Sequence, residues 1–343
     1  LRRRRRGQEE RRTLVSGGLI GLMVVLLAFA HNLESGGSAV APDGIGNPVV
    51  EAPREIPGGG MSILPERRVV GFYGNPRNAA LGIIGDPNPP GTDNSEAAGG
   101  DVDARLERAR TALSVQRDRI NEQVEKYDRP QRPALKAFGL IATLATEDPL
   151  DDGLYRIRED TEIIDFYLEE ARRQDAILIL DIQPGRANFL EEVKVLEPYL
   201  KEPDVSLALD PEWRVSDGEV PGADLGSVDA AEVNQVSKYL NDLVIAEDLP
   251  DKLLIIHQFT ESMITRRQRL HPRNRLEVVL DIDGVGTPER KTATFDSLTR
   301  PPRRSGWAYG IKLFYEEDAA ARRLMTPAQI LALRPQPSVY LYE

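Results

Sequence analysis

Asp210 and Glu212 stand two residues apart at the end of the apolar run Val205-Ser206-Leu207-Ala208-Leu209. In an extended strand, residues i and i+2 point to the same side. Two carboxylates placed this way raise the proton affinity of one member, which then holds a proton near neutral pH. That is the chemistry of a general acid and its partner, with Glu212 as the acid and Asp210 as the partner. The same residues also spell a turn. Asp-Pro is a common turn pair, and Asp210 followed by Pro211 would leave Glu212 solvated. Both readings stand for Glu212, whereas Asp210 lies at the strand end in either.

Other apolar runs end in the same kind of chemistry. One ends Asp181-Ile182-Gln183-Pro184-Gly185-Arg186, one His257-Gln258-Phe259, and one Asp281-Ile282-Asp283. A run containing Lys312 ends Phe314-Tyr315-Glu316, the first ends Phe72-Tyr73-Gly74-Asn75, and the last carries Tyr340, Tyr342 and Glu343. Asp181 and Asp281 join Asp210 and Glu212 as candidate catalytic carboxylates. Tyr73, Gln183, Trp213, His257, Gln258, Asp283, Lys312 and Tyr315 are the candidate substrate-binding residues. Carboxylates for acid/base work beside flat rings for pyranose faces describe a sugar cleft. Blander roles compete with these. His257 can be a hydrogen-bonded rim residue, Lys312 an ion-pair partner of Asp281 or Asp283, and Asp283 the cap of a turn. Gly284-Val285-Gly286 lacks the third glycine and the Lys-Ser/Thr of a phosphate loop and reads as a turn.

Composition removes several chemistries. The chain has no cysteine, which excludes disulfides, a thiolate nucleophile and Cys-based metal sites. Its three histidines, His31, His257 and His271, are too few for a multi-His zinc cage. Neither a metal nor a cofactor is expected. Gly-x-Ser-x-Gly, His-Glu-x-x-His and His-x-x-x-His are all missing, against serine hydrolases, zincins and zinc polysaccharide deacetylases. A net charge of −11 and a pI near 5.1 argue against nucleic acid as a partner.

The elements that position these residues are legible as apolar runs at 69–73, 137–142, 176–181, 205–210, 252–257, 276–281, 308–314 and 338–342. Helical periodicity separates them at 101–127, 161–173, 189–200 and 227–246, more weakly at 260–270 and 292–299, and after Thr326-Pro327, where proline opens a helix. Eight strands alternating with seven helices predict an α/β fold, a (β/α)8 TIM barrel. Residues 68–343 are close to the ~250 residues usual for one. An open doubly wound sheet is the rival. It usually has fewer strands and an early Gly-x-Gly-x-x-Gly turn, which the first strand lacks. In a barrel the active site lies at the C-terminal strand ends, where the candidates above cluster.

Ahead of the barrel domain, residues 1–12 form a basic region with seven arginines, followed by a run without charge between Arg12 and Glu34 if His31 is neutral. Its length is near the ~20 residues of a spanning helix. The expectation is a transmembrane signal-anchor over 13–33, with the arginines cytoplasmic and the main domain outside. Cleavage is the alternative, since Ala28-Phe29-Ala30 has the small-x-small form of a signal-peptide site and would release a secreted protein. Residues 34–67, rich in Gly, Pro and Ser, read as a linker without a core role, so that the chain from Val69 onward would fold alone.

The eight-run pattern, the exported domain and the Asp-x-Glu that ends strand four resemble barrel glycoside hydrolases of the chitinase and muramidase sort. The resemblance implies that Glu212 is the acid and that Asp210 supports a substrate acetamido group, with a polysaccharide or peptidoglycan-type substrate. Ser206 and Ala208 occupy the two earlier Asp positions of the longer chitinase motif, and strand seven offers Lys312 where the large retaining clan has a Glu nucleophile. With Asp-Ile-Gln-Pro-Gly-Arg at 181–186, Leu-Asp-Pro-Glu-Trp at 209–213 and His-Gln-Phe-Thr at 257–260, the domain is similar to a family of uncharacterised exported actinobacterial barrel proteins, which implies no activity. Val278 to Val285 resembles the first motif of haloacid-dehalogenase phosphatases, but the chain after Asp283 is too short for that fold. The expected function is a membrane-tethered barrel that binds an envelope or extracellular glycan, with its hydrolysis by carboxylate acid/base chemistry left open. The alternative is a non-catalytic glycan-binding or envelope-assembly barrel.

Overall fold

Strand Ala176–Ile182 shows how the chain builds its wall. Ile177 and Ile179 turn to one side and join an inner apolar cluster. Leu178, Leu180 and Ile182 turn to the other and join an outer one. A strand buried on both faces needs an apolar residue at nearly every position, which is why these strands read as continuous runs. The computed structural model describes residues 54–77, 101–300, 307–320 and 323–343. Eight strands of this kind form the wall: β1 (Arg68–Gly74), β2 (Ala134–Ala145), β3 (Ala176–Ile182), β4 (Val205–Leu209), β5 (Lys252–Gln258), β6 (Leu276–Ile282), β7 (Trp307–Leu313) and β8 (Val339–Tyr342). Each is parallel to the next, and β1 also pairs with β8, so the sheet closes. Arg156–Arg158 adds a short antiparallel strand on the end of β2. The fold is the TIM-type α/β barrel that the sequence predicts.

The crossovers pack on the outer cluster. They contain α1 (Val102–Tyr127), α2 (Thr161–Arg173), α3 (Phe189–Val195), α4 (Glu197–Leu200), α5 (Ala230–Ala246), α6 (Pro288–Leu298), α7 (Glu317–Ala320) and α8 (Pro327–Ala332). Thr326 and Gln329 form a capping box at the start of α8, beside the Pro327 noted in the sequence. Two helical expectations need correction. The segment 189–200 is broken at Leu196, outside helical geometry, just before Pro198 in the first turn of α4. The segment 260–270 forms no α-helix. Two single 3₁₀ turns, Glu261–Met263 and Arg267–Arg269, flank Ile264–Thr265, which pairs with Val228–Asp229.

The N-terminal end of the barrel has a floor. Ile56 and Ile63 are buried in the inner cluster, with Val69, Leu135, Ile177, Leu253 and Val339 around them. Glu277, inward-facing on β6, accepts from the Ile63 and Leu64 backbone N–H groups at 2.8 and 2.9 Å. The Met61 carbonyl accepts from Asp251 N, and Arg67 donates to the Pro57 and Gly58 carbonyls. Gly58, Gly59 and Gly60 all have φ between 75° and 96°, which lets the strap turn where side chains would strain it. The expected linker therefore ends earlier than residue 67, because residues 54–67 belong to the folded unit. The basic segment 1–12, the apolar segment 13–33, most of the linker, and the Gly/Pro-rich 85–100 lie outside the described residues. Among the described residues no helix is long and apolar enough to cross a membrane.

Candidate functional site

The inward positions change character along the barrel axis. Above the floor lies a layer of small and aliphatic side chains, including Ala137, Ile179, Ala208, Ile255 and Val279. One residue pair further on, the same faces carry Tyr73, Asp181, Asp210, His257, Asp281 and Lys312, and then Asp283 and Glu343. Register sets them side by side, with Ile141 against Asp181, His257 against Asp281, and Asp281 against Gly310. Two glycines make room. A Cβ on Gly310 would collide with Asp281 Oδ1, and one on Gly139 would sit 3.0 Å from the Tyr73 ring.

His257 is the centre of the cluster and is fully buried. Its Nε2 lies 3.2 Å from Asp181 Oδ2 and 3.0 Å from the Tyr73 hydroxyl. Its Nδ1 lies 3.2 Å from Asp281 Oδ2 and 3.4 Å from Asp283 Oδ2, within ion-pair distance of both but without an aligned hydrogen bond to either. Burial disfavours the imidazolium, but these carboxylates outweigh it and raise the His257 pKa well above 6.5. For Asp181, too, burial works toward the neutral form. The charges of His257 and Lys312 and the Tyr73 hydroxyl overcome it and hold the carboxyl below its ordinary range. Asp281 is raised, by burial first and by Asp283 next.

Lys312 forms its ion pair with Glu343, not with Asp281 or Asp283 as the sequence suggested, and its ammonium lies 4.3 Å from the centre of the Tyr73 ring. Burial opposes its charge, but Glu343, Asp210, Asp283 and Asp181 raise its pKa above the ordinary value. A second buried pair stands beside the mouth. Lys291 lies 2.8 Å from Asp318 and donates to the Gly284 carbonyl, and Asp318 accepts from the Gly286 and Phe314 N–H groups. It joins the loop after β6 to the loop after β7.

The Asp-x-Glu motif takes a form that combines both sequence readings. Strand β4 stops at Leu209, and Pro211–Trp213 is a 3₁₀ turn whose first free N–H, on Glu212, is accepted by the Asp210 carboxylate at 3.3 Å. The turn therefore forms, yet Glu212 is not solvated. It is half-buried and feels the mouth charges. Burial is the largest cause of its pKa rising to about 7, with Asp283 and Glu343 adding and Lys312 and His257 opposing. Asp210 is raised well above its ordinary value by burial and by repulsion from Asp181, Asp283 and Glu212. The Glu212 carbonyl accepts from Gly226 N, and Val215 N donates to the Gly185 carbonyl, so the loop after β4 is tied to the loop after β3.

Not every candidate joins the cluster. Gln258 follows His257 on β5 and therefore faces out of the lumen, where it donates to the Thr260 carbonyl and accepts from Arg267. Tyr315 packs outside the wall against Phe72 and Tyr342, and its hydroxyl accepts from Gln123. Gln183 is buried and accepts from Ala145 N, holding the ends of β2 and β3 together. Trp213 is half-buried on the 3₁₀ turn. Glu343 is the site residue that the candidate set missed. Its odd position on β8, in step with Val339 and Leu341, is the sequence signal for an inward side chain. Arg186 donates to the Glu219 carbonyl and stacks on Tyr155, and Arg214 pairs with Glu232. Among the described residues no group of three or more acids and histidines is arranged to hold a metal ion.

Fold and site together define a (β/α)8 barrel with a buried, acid-rich mouth at its C-terminal end. No protein-family model and no curated protein matches the chain. Among solved structures it is similar to cellulose synthase subunit Z from Clostridioides difficile, at 13% identity over 81% of this chain and 92% of that one, with a TM-score of 0.36. It is also similar to a β-(1,4)-mannanase from Podospora anserina, at 11% identity over 66% and 53% of the chains, TM-score 0.31. A third is a hyperthermophilic endo-β-1,4-glucanase in complex with substrate, at 8% identity over 61% and 77%, TM-score 0.27. The closed ring of strand pairings, not these likenesses, defines the fold.

Proposed function

We propose that the barrel binds a glycan at its C-terminal mouth and hydrolyses it, with Glu212 as the general acid. One observation carries this reading. Glu212 sits half-buried at the mouth with its pKa lifted to about 7, so it holds a transferable proton near neutral pH. Glycosidic bond cleavage needs such a group together with a second carboxylate. The mouth acids are also not all locked by basic side chains. Arg186 and Arg214 are engaged elsewhere, and among the described residues Lys312 pairs with Glu343 alone. Asp181 and Asp281 lie beneath the surface, at 1% and 0% exposure, and act as positioning residues through His257. Asp210 supports Glu212 by capping its turn. Trp213, on the same turn, offers a ring to a sugar face.

The decisive measurement is reducing-end release from a panel of polysaccharides, peptidoglycan included, by the full chain and by Glu212→Gln. The variant keeps the shape and loses the titrating proton. Turnover should fall roughly 10²–10⁴-fold while binding survives. Equal turnover removes Glu212 from the mechanism. The burial of Asp181, His257 and Asp281 favours a second reading, a glycan-binding barrel without catalysis. Binding by the wild type with no turnover on any glycan supports that one.

The tether belongs to the same proposal. The seven arginines ahead of an uncharged run support a membrane anchor over residues 13–33, with the barrel on the outer side. Cell fractionation and sequencing of the mature N-terminus test it. A soluble protein beginning at His31 would sink the anchor and establish cleavage.

A further inference from the structure

We infer that the mouth recognises a sugar bearing a free ammonium group, a de-N-acetylated hexosamine, in preference to N-acetylated or acidic sugars. The inference rests on the glycan reading above and names its substrate class. Charge balance is the first argument. Among the described residues, Asp181, Asp210, Glu212, Asp281, Asp283 and Glu343 act on one another across the mouth, against only Lys312 and His257 among the cations that pair within it. Even with Glu212 and Asp210 protonated, carboxylates outnumber cations there. Both cations are already engaged, Lys312 by Glu343 and His257 by three aspartates.

The second argument starts from hydrogen bonding. Asp181 Oδ1, Asp281 Oδ1 and Asp283 Oδ1 are buried, and among the described residues no group donates a hydrogen bond to them. Their residues are 1%, 0% and 5% exposed. Buried carboxylate oxygens without donors cost free energy that a donor from a ligand recovers. An ammonium brings three donors and no acceptor, and its positive charge strengthens each bond. A hydroxyl brings one donor and no charge. A uronate adds a like charge to a site already in excess of it, which is disfavoured. Asp283 is the most exposed of the three and stands at the loop edge of β6, so it is the expected contact.

Calorimetric titration of the purified full chain tests this at about pH 6, where a sugar amine is charged. The probes are the glucosamine tetramer, the N-acetylglucosamine tetramer and the galacturonate tetramer. The glucosamine tetramer should bind at least ~10-fold more tightly than the other two, and the margin should shrink as salt is raised. Asp283→Asn should weaken binding of the glucosamine tetramer more than that of the N-acetylated one. If that variant does not fold, the salt series on the wild type decides. Equal or tighter binding of the N-acetylated or acidic tetramer overturns the inference and leaves the glycan reading standing. Binding of none of the three overturns the inference as well, and the polysaccharide panel then decides the glycan reading by itself.

Discussion

The floor and the mouth of this barrel are made by the same device and come out opposite in character. In both, inward-facing positions on parallel strands bring acids into the lumen, and in both burial lifts a glutamate pKa to about 7, Glu277 on β6 below and Glu212 on the turn after β4 above. At the floor, Glu277 Oε1 is filled by two backbone N–H groups of the chain's own strap, and only Oε2 is left without a donor. At the mouth, three aspartates each keep a buried oxygen without a donor among the described residues, and the cations there are shared among too many acids. Burial and a raised pKa therefore do not separate a structural acid from a functional one. What separates them is whether the chain itself supplies the donors.

Variants at the two ends should dissociate. Glu212→Gln at the mouth should cost roughly 10²–10⁴ in turnover with little change in thermal midpoint. In the wild type, turnover should fall as pH rises through about 7, because the acid then loses its proton. A wild-type rate that is flat across that range would break the contrast at its upper end. Ile63→Ala at the floor should do the reverse. It removes a side chain 1% exposed in the inner cluster, and chemical denaturation should show a loss of about 2–5 kcal/mol with glycan affinity unchanged. A loss below the effect of an ordinary surface substitution would show that the strap is not part of the core.

Glu277→Gln is the smallest and sharpest case. The folded pKa of Glu277 lies above its ordinary 4.5, at about 7. Its contribution to stability is therefore present at low pH and is lost as pH rises from about 4.5 through about 7. Glutamine still accepts from Ile63 N and Leu64 N, so the variant should gain stability relative to the wild type at about pH 8 and lose part of the pH slope. An unchanged slope in a denaturation series would assign that slope to the mouth acids instead.

Much of this was readable beforehand, for reasons that can be named. All eight barrel strands fall on runs expected from the sequence, because a strand buried on both faces cannot conceal its apolar composition. Their C-terminal ends pointed to the mouth for the same reason. Side was harder than position. Gln258 and Tyr315 lie at the right height but outside the lumen, and strict alternation from His257 would have excluded Gln258. The strap was hidden by its Gly and Pro content, since two isoleucines without periodicity carry no pattern. The Gly139 and Gly310 clearances depend on which residue lies across from each glycine, and register between strands is not written in a single chain. The two single-turn 3₁₀ segments after β5 carry a false helical signal, because Met263, Ile264 and Leu270 happen to be spaced like one helix face.

The buried pair of Lys291 and Asp318 has a mechanical consequence. Four bonds run through it, to Gly284, Gly286 and Phe314 and between the two side chains. They make the segments that follow β6 and β7 a single rigid body rather than two independent hinges. Asp283 is rooted in the first segment, and Lys312 stands two residues before Phe314 in the second. The gap across that side of the mouth is thus a fixed gauge, set by a strut outside the gap, and any ligand must fit that width instead of setting it.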